Sequence, residues 1–191
     1  MARTKEFDPE AALRAALELF WERGYEATSM ADLVEHLGIA RASLYSTFGG
    51  KHELYMKALY AYTEARDVDP IAMLAQPGPT LPAVRALIEL YTEESVNEPR
   101  GCMIVNAAAE MLPGDRTVAR FVEANWAALE AALTTAFIRA RAQGELPEGR
   151  DPQALARFVL VFLQGLKVMA KGSPDPARLR QAAAQALSML S

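Results

Sequence analysis

Cysteine is the scarcest chemistry in this chain: Cys102 stands alone among 191 residues. One thiol can form neither an intramolecular disulfide framework nor a cysteine-based zinc module. Histidine is nearly as rare. His36 and His52 fall in no His-Glu-x-x-His or Glu-x-x-His pattern, which argues against helical zinc and di-iron sites. No metal and no cofactor are expected. Long apolar runs are missing as well. The longest aliphatic and aromatic run is Phe158 to Leu163, far short of the ~20 residues that span a bilayer. The first residues turn acidic before any apolar stretch, unlike a secretory signal. A soluble, cytoplasmic protein without a membrane partner is the expectation. Positive charge is not in excess either. Lys and Arg number 20 against 24 Asp and Glu, for a net charge of −4. That argues against non-specific coating of nucleic acid, yet leaves room for a small local basic surface.

What is present is helix. The length suits one compact unit or two small ones, with ample chain for a buried core. Over Pro9 to Arg23, Leu13, Ala16, Leu17 and Phe20 fall on one face, with Asp8 placed to cap and Gly24 to stop. Ser29-x-x-Asp32 resembles a capping box opening a short helix through His36. After Gly38 a second short helix runs from Arg41 to Thr47, and a further one from Lys51 to Arg66. Breaks at Asp69-Pro70 and Gln76-Pro77-Gly78-Pro79 flank a short apolar stretch, Ile71 to Leu74. Beyond them the pattern predicts helices at 81–96, 102–111, 115–143, 151–171 and 174–189, with Pro152 and Pro174 at starts. No segment alternates with period two for long. The expected class is all-α: a helix-turn-helix unit at 1–50, a connector helix at 51–66 and a C-terminal unit at 67–191.

The informative segment lies between Gly24 and Leu54. Two short helices are joined by the tight turn Leu37-Gly38-Ile39. Such a pair needs the first helix as a third wall, with Met30, Leu33, Val34, Leu37, Ile39, Leu44 and Phe48 as shared core. This is the plan of a helix-turn-helix, whose second helix enters the DNA major groove. Arg41-Ala42-Ser43 supplies the slim, polar N-terminus this requires, and the Tyr45 hydroxyl is long enough to reach a phosphate. The first 52 residues hold six cations against eight acids, but the acids stop at Glu35 and resume only at Glu53. His36, Arg41, Lys51 and His52 lie in that window, and Arg3 and Lys5 can serve as an N-terminal arm.

Gly24-Tyr25, Thr28, Gly38-Ile39, Leu44-Tyr45-Ser46-Thr47-Phe48, Lys51 and Leu54 together resemble the TetR family of bacterial one-component transcriptional regulators. The match covers about the first sixty residues. Arg100 to Asn106 and Phe162 to Lys167 are similar, less specifically, to one large branch of that family. One position departs: Ala40 stands where the family has Ser or Thr to cap the recognition helix, a loss of about 0.5–2 kcal/mol. The resemblance implies a homodimeric repressor that binds a palindromic double-stranded operator and is released by a small-molecule effector.

On that reading Arg41, Ala42, Ser43 and Tyr45 meet the groove and its backbone, while Thr28, Ser29 and Lys51 contact phosphates. Lys51 opens its helix, an unfavourable end for a cation unless a phosphate is near. Cys102, Met103, Asn106, Phe121, Trp126, Phe162 and Gln164 are expected to wall a mainly apolar effector cavity. The last two long helices are expected to pair with their two-fold mates. Two alternatives stay open: a thiol-sensing repressor acting through Cys102, which follows Arg100-Gly101 at a helix start, and a helical adaptor without DNA binding. Enzyme readings find little support. Gly49-Gly50-Lys51 lacks the upstream glycine of a P-loop, and His52 replaces its Ser or Thr.

Overall fold

The computed structural model describes residues 7–172 and 175–190, and the regular structure among them is entirely helical. In chain order the helices are α1 (Pro9–Arg23), α2 (Met30–Leu37), α3 (Arg41–Phe48), α4 (Lys51–Glu64), α5 (Pro70–Ala75), α6 (Thr80–Asn97), α7 (Met103–Met111), α8 (Arg116–Ala142), α9 (Pro152–Ala170) and α10 (Pro176–Ser188). The fold is all-α, as the periodicity predicts. The expected arm residues Arg3 and Lys5, and Pro174, lie outside the described residues.

Four helices begin on the same dipeptide. Asp8-Pro9, Asp69-Pro70, Asp151-Pro152 and Asp175-Pro176 open α1, α5, α9 and α10. Each aspartate accepts a backbone N–H of the first turn, and each proline takes a position whose N–H needs no partner. The expected start of the last helix at 174 is therefore corrected to Pro176. The expected stretch from Ile71 to Leu74 is itself helical, as α5, because its leucine is buried against α8 and Arg139 donates to the Leu74 carbonyl at 2.8 Å. The connector ends at Glu64 rather than Arg66. Pro79 offers no side-chain cap to α6. Glu145, from the turn after α8, reaches across to accept the N–H groups of Thr80 and Leu81 at 2.8 and 2.7 Å.

Two apolar cores result. The first joins α1–α4 to α7 and the first turns of α8, through Cys102, Met103, Ile104, Val118, Phe121 and Val122. The second joins α5, α6, the rest of α8, α9 and α10 around Leu87, Ile88, Leu133, Phe137, Val159 and Leu163. Trp126 packs against both. The partition of the cores thus does not follow the chain boundary expected near residue 67.

α9 is long and apolar enough, by length and composition, to cross a membrane. Its inner face is packed against α6 and α8. Its outer face leaves Val161, Val168 and Met169 exposed, with Phe158 and Phe162 half-buried beside them. Leu155, Leu166, Leu179 and Ala183 are spent inside the chain.

Candidate functional site

The three-helix head is built around Leu33, Leu44 and Phe20, all essentially inaccessible to solvent. Ser29 and Asp32 close the capping box at α2: the Ser29 hydroxyl accepts from Asp32 N–H at 3.1 Å and Asp32 accepts from Ser29 N–H at 2.7 Å. Gly38 ends α2 in the left-handed region, φ +63° with open space around it, and sets the angle at which α3 leaves. With Leu44 and Phe48 directed inward, Arg41, Ala42 and Tyr45 are exposed and Ser43 is half-buried. The Arg41 guanidinium lies 5.9 Å from the Tyr45 ring centre, one helical turn on. Ala40 gives α3 no side-chain cap, so the first N–H groups of α3 find no side-chain acceptor among the described residues.

Two expected backbone contacts stand differently. Thr28 is fully buried and its hydroxyl donates to the Gly24 carbonyl at 2.7 Å, so that group is committed to the turn after α1 and not to the surface. Lys51 is half-buried with its Nζ 4.1 Å from the centre of the Tyr25 ring, an arrangement that offsets the poor electrostatics of a cation at a helix start. His52 bonds the Asp115 carboxylate at 2.7 Å.

The head is tied to the rest of the chain by polar bonds as well as by the shared core. Glu110 of α7 accepts from the Tyr25 N–H at 2.7 Å. Trp21 Nε1 donates to the Gly101 carbonyl at 3.1 Å, and the Arg100 guanidinium lies 3.8 Å from the Trp21 ring centre while pairing with Glu18 and Glu98. The segment before α7 therefore grips α1 directly.

Behind that segment lies a cavity of about 380 Å³ between α4, α5, α6, α8 and α9. Of the residues expected to wall it, Cys102, Trp126 and Gln164 do so. Met103 is sealed in the head core, and Phe121 packs edge-on against Tyr60, their ring centres 4.8 Å apart. Asn106 turns back to donate to the Arg100 carbonyl at 3.0 Å, and Phe162 stacks on Phe158 at the outer face of α9. Those four are placed elsewhere because each meets a closer partner. Arg66, Tyr91 and Lys167 line the cavity instead, alongside apolar Ile104 and Leu129. A lysine inside the apolar run of α9 was the signal in the sequence: Lys167 is buried and pairs with Glu94 at 2.7 Å. Burial holds the phenols of Tyr62 and Tyr91 above their ordinary range, so both stay neutral hydrogen-bonding groups. A wider groove of about 840 Å³ opens on the other side, toward Trp21 of the head and Tyr62 of α4, and Arg66 and Lys167 line both spaces.

Among the described residues no cluster of three metal-ligating side chains occurs.

A three-helix head with an exposed, acid-free second short helix, fused to a helical body enclosing a cavity, defines a helix-turn-helix DNA-binding regulator. The sequence pattern of bacterial regulatory proteins of the tetR family matches residues 12–58, and that of the tetracyclin repressor-like C-terminal domain matches residues 80–186. The chain is 39% identical to the HTH-type transcriptional regulator YezE of Bacillus subtilis over the full length of both. It is 31% identical to the HTH-type transcriptional repressor ComR of Escherichia coli, covering 98% of this chain and 90% of that one. Among solved structures, the TetR family regulator CifR in complex with a 26-base-pair operator DNA superposes with a TM-score of 0.85 at 30% identity, covering 98% of each chain. The protein belongs to the TetR family. It is a DNA-binding transcriptional regulator and not an enzyme.

Proposed function

We propose that this regulator is a homodimeric repressor whose paired heads read a palindromic operator, and whose cavity binds a small effector that releases the DNA. The observation that carries the DNA half is the surface of α3, where Arg41, Ala42 and Tyr45 stand exposed around buried Leu44. Arg41 and Tyr45 contact base edges and backbone, with Ala42 and Ser43 slim enough to admit the groove. Ser29 and Lys51 flank them at the phosphates, Lys51 by leaving the Tyr25 ring. CifR, a relative bound to operator DNA, supports the same docking.

The dimer reading rests on the outer face of α9. Val161 is 70% exposed and Val168 56%, and Gly165 between them has open space above its Cα. An apolar stripe with a glycine in it suits close approach of a second copy of the same helix. Two-fold pairing sets the two recognition helices about one DNA turn apart, ~34–36 Å.

The effector acts by preferring the conformer whose heads are wrongly spaced, since equal affinity for both would shift nothing. The functional division follows: a reading head at 1–50, the connector helix at 51–64, and a sensing and pairing body at 67–191.

The experiment is a gel-shift of the full-length protein on the DNA upstream of its own gene, with competitor DNA present. A discrete complex at a two-fold symmetric site supports the reading. Binding no tighter than to random DNA would refute it and favour the adaptor reading.

A further inference from the structure

We infer that the cavity is built for an anionic effector, a monocarboxylate with a short apolar body, anchored by the Arg66 guanidinium. This rests on the reading of the cavity as the effector site and names its chemistry. Arg66 is half-buried just past the end of α4, and among the described residues no carboxylate lies within ion-pair distance of it. Its neighbours are two tyrosines, the Tyr62 ring with its centre 5.7 Å away and the Tyr91 side chain, while Glu94, already paired with Lys167, acts on it only through space. A half-buried guanidinium that no carboxylate touches is left with a fork whose two parallel N–H groups match the two oxygens of a carboxylate.

The surroundings ask for the same ligand. Trp126 lines the cavity, and its indole Nε1 is buried without an acceptor. An indole can only donate, so this group is satisfied by an acceptor and not by an amine. Lys167, on the same wall, spends one donor on Glu94 and keeps others. Gln164 makes no side-chain hydrogen bond among the described residues. Against these donors stand the acids Glu64 and Asp69, both exposed, with Asp69 already capping α5. Charges so placed are screened by water. The remaining wall, Ile71, Ile104 and Leu129, is apolar and suits a hydrocarbon body. Placement also gives the ligand leverage. Arg66 follows α4, whose other end carries Lys51, and Cys102 on the cavity wall follows the Arg100-Gly101 grip on α1.

The test titrates full-length protein with the straight-chain carboxylates from butanoate to decanoate, their methyl esters and the matching alkylamines, by calorimetry and thermal shift. Arg66→Met and Arg66→Lys are measured beside the wild type, with circular dichroism and unligated melting temperature confirming that each is folded. At least one carboxylate is expected to bind saturably and raise the melting temperature. Its ester and amine should bind about tenfold more weakly or not at all. Arg66→Met should lose about tenfold or more in affinity, and Arg66→Lys should recover part of it. Carboxylate affinity unchanged in Arg66→Met overturns the anchor, and so does an absence of binding by every carboxylate. Esters or amines binding more tightly than the acids overturn the anionic class while leaving the cavity an effector site. Failure of the effector reading itself shows differently, as carboxylate binding that leaves the operator complex intact in the gel-shift.

Discussion

The Glu110 carboxylate accepts a hydrogen bond from the backbone N–H of Tyr25, 85 residues away in sequence, at 2.7 Å. The neighbouring Gly24 is what permits this approach. It sits at φ +87°, and a Cβ there would collide with the Glu110 carboxylate. Replacing Glu110 with alanine should therefore cost ~1.5–3 kcal/mol, the range for a hydrogen bond to a charged group. Gly24→Ala should be destabilising as well, through both the backbone conformation and the collision. Urea unfolding midpoints measure both. Wild-type stability in Glu110→Ala would mean that this bond contributes nothing to docking the head.

Operator affinity is expected to separate from stability at α3. Tyr45→Phe, Lys51→Ala and Arg41→Ala should each unfold near the wild-type midpoint, since none of these side chains is in the core. Arg41→Ala should lose ~1–3 kcal/mol of binding and relax specificity at one base pair, whereas Lys51→Ala should weaken all sequences alike and flatten the salt dependence. Fluorescence anisotropy with operator variants at several salt concentrations distinguishes the two patterns.

A charge placed on the outer face of α9 should break the dimer without disturbing the monomer. Val161→Glu and Val168→Glu substitute exposed positions, so helicity should persist while sedimentation shifts to the monomer. Operator binding should then fall steeply, because one head grips only one half-site. Dimers that survive both changes would relocate the interface.

The acid limb of stability should report Asp115. Its carboxyl is held below the usual carboxylate range, chiefly by the hydrogen bond from Val118 N–H, then by His52 and Thr117 N–H. A folded value below the unfolded one means that the stabilisation is fully present above about pH 4 and is lost as pH falls through the folded value. Asp115→Asn keeps a capping oxygen but removes the charge, so stability plotted from pH 7 to pH 2 should fall less steeply than in wild type. Parallel curves would assign the acid limb to other carboxylates, such as Glu98 beside Arg100.

Cys102→Ser tests the thiol-sensing alternative. The thiol is buried at the start of α7, beside Tyr62, and the chain holds no second cysteine to resolve an oxidised product. The variant should keep effector-driven release with at most an altered affinity. Permanent DNA binding by Cys102→Ser, together with release of the wild type by electrophiles, would favour the thiol mechanism.

The head was readable in the sequence because its constraints are local. Capping at Ser29 and Asp32, the glycine stop at Gly38 and the inward spacing of Leu44 and Phe48 each act within one or two turns of helix. Thr28 was harder, since the same hydroxyl suits a phosphate or a carbonyl, and only the fold of the preceding turn decides for Gly24. α5 was hidden by its length: six residues carry too little periodicity to separate a helix from an apolar linker. The cavity was least legible. Met103, Asn106, Phe121 and Phe162 are chemically as suited to a ligand wall as Trp126 and Gln164. What separates them is tertiary packing for Phe121, which meets Tyr60 of α4, and the path of the loop before α7 for Asn106, which turns to the Arg100 carbonyl. Arg66 reads as the end of a helix, and nothing in its neighbours along the chain announces that it faces a cavity with no carboxylate in contact.

One helix lies in both apolar cores. α8 gives Val118, Phe121 and Val122 to the first and Leu129, Leu133, Ala136 and Phe137 to the second, with Trp126 touching each. It is a beam clamped at both ends, with its ~40 Å length shared between two housings. The head cannot swing as a ball on a string. Any tilt must bend this beam or slide one housing along it, and a molecule lodged beside Trp126 would work as a wedge at the point where the two grips meet.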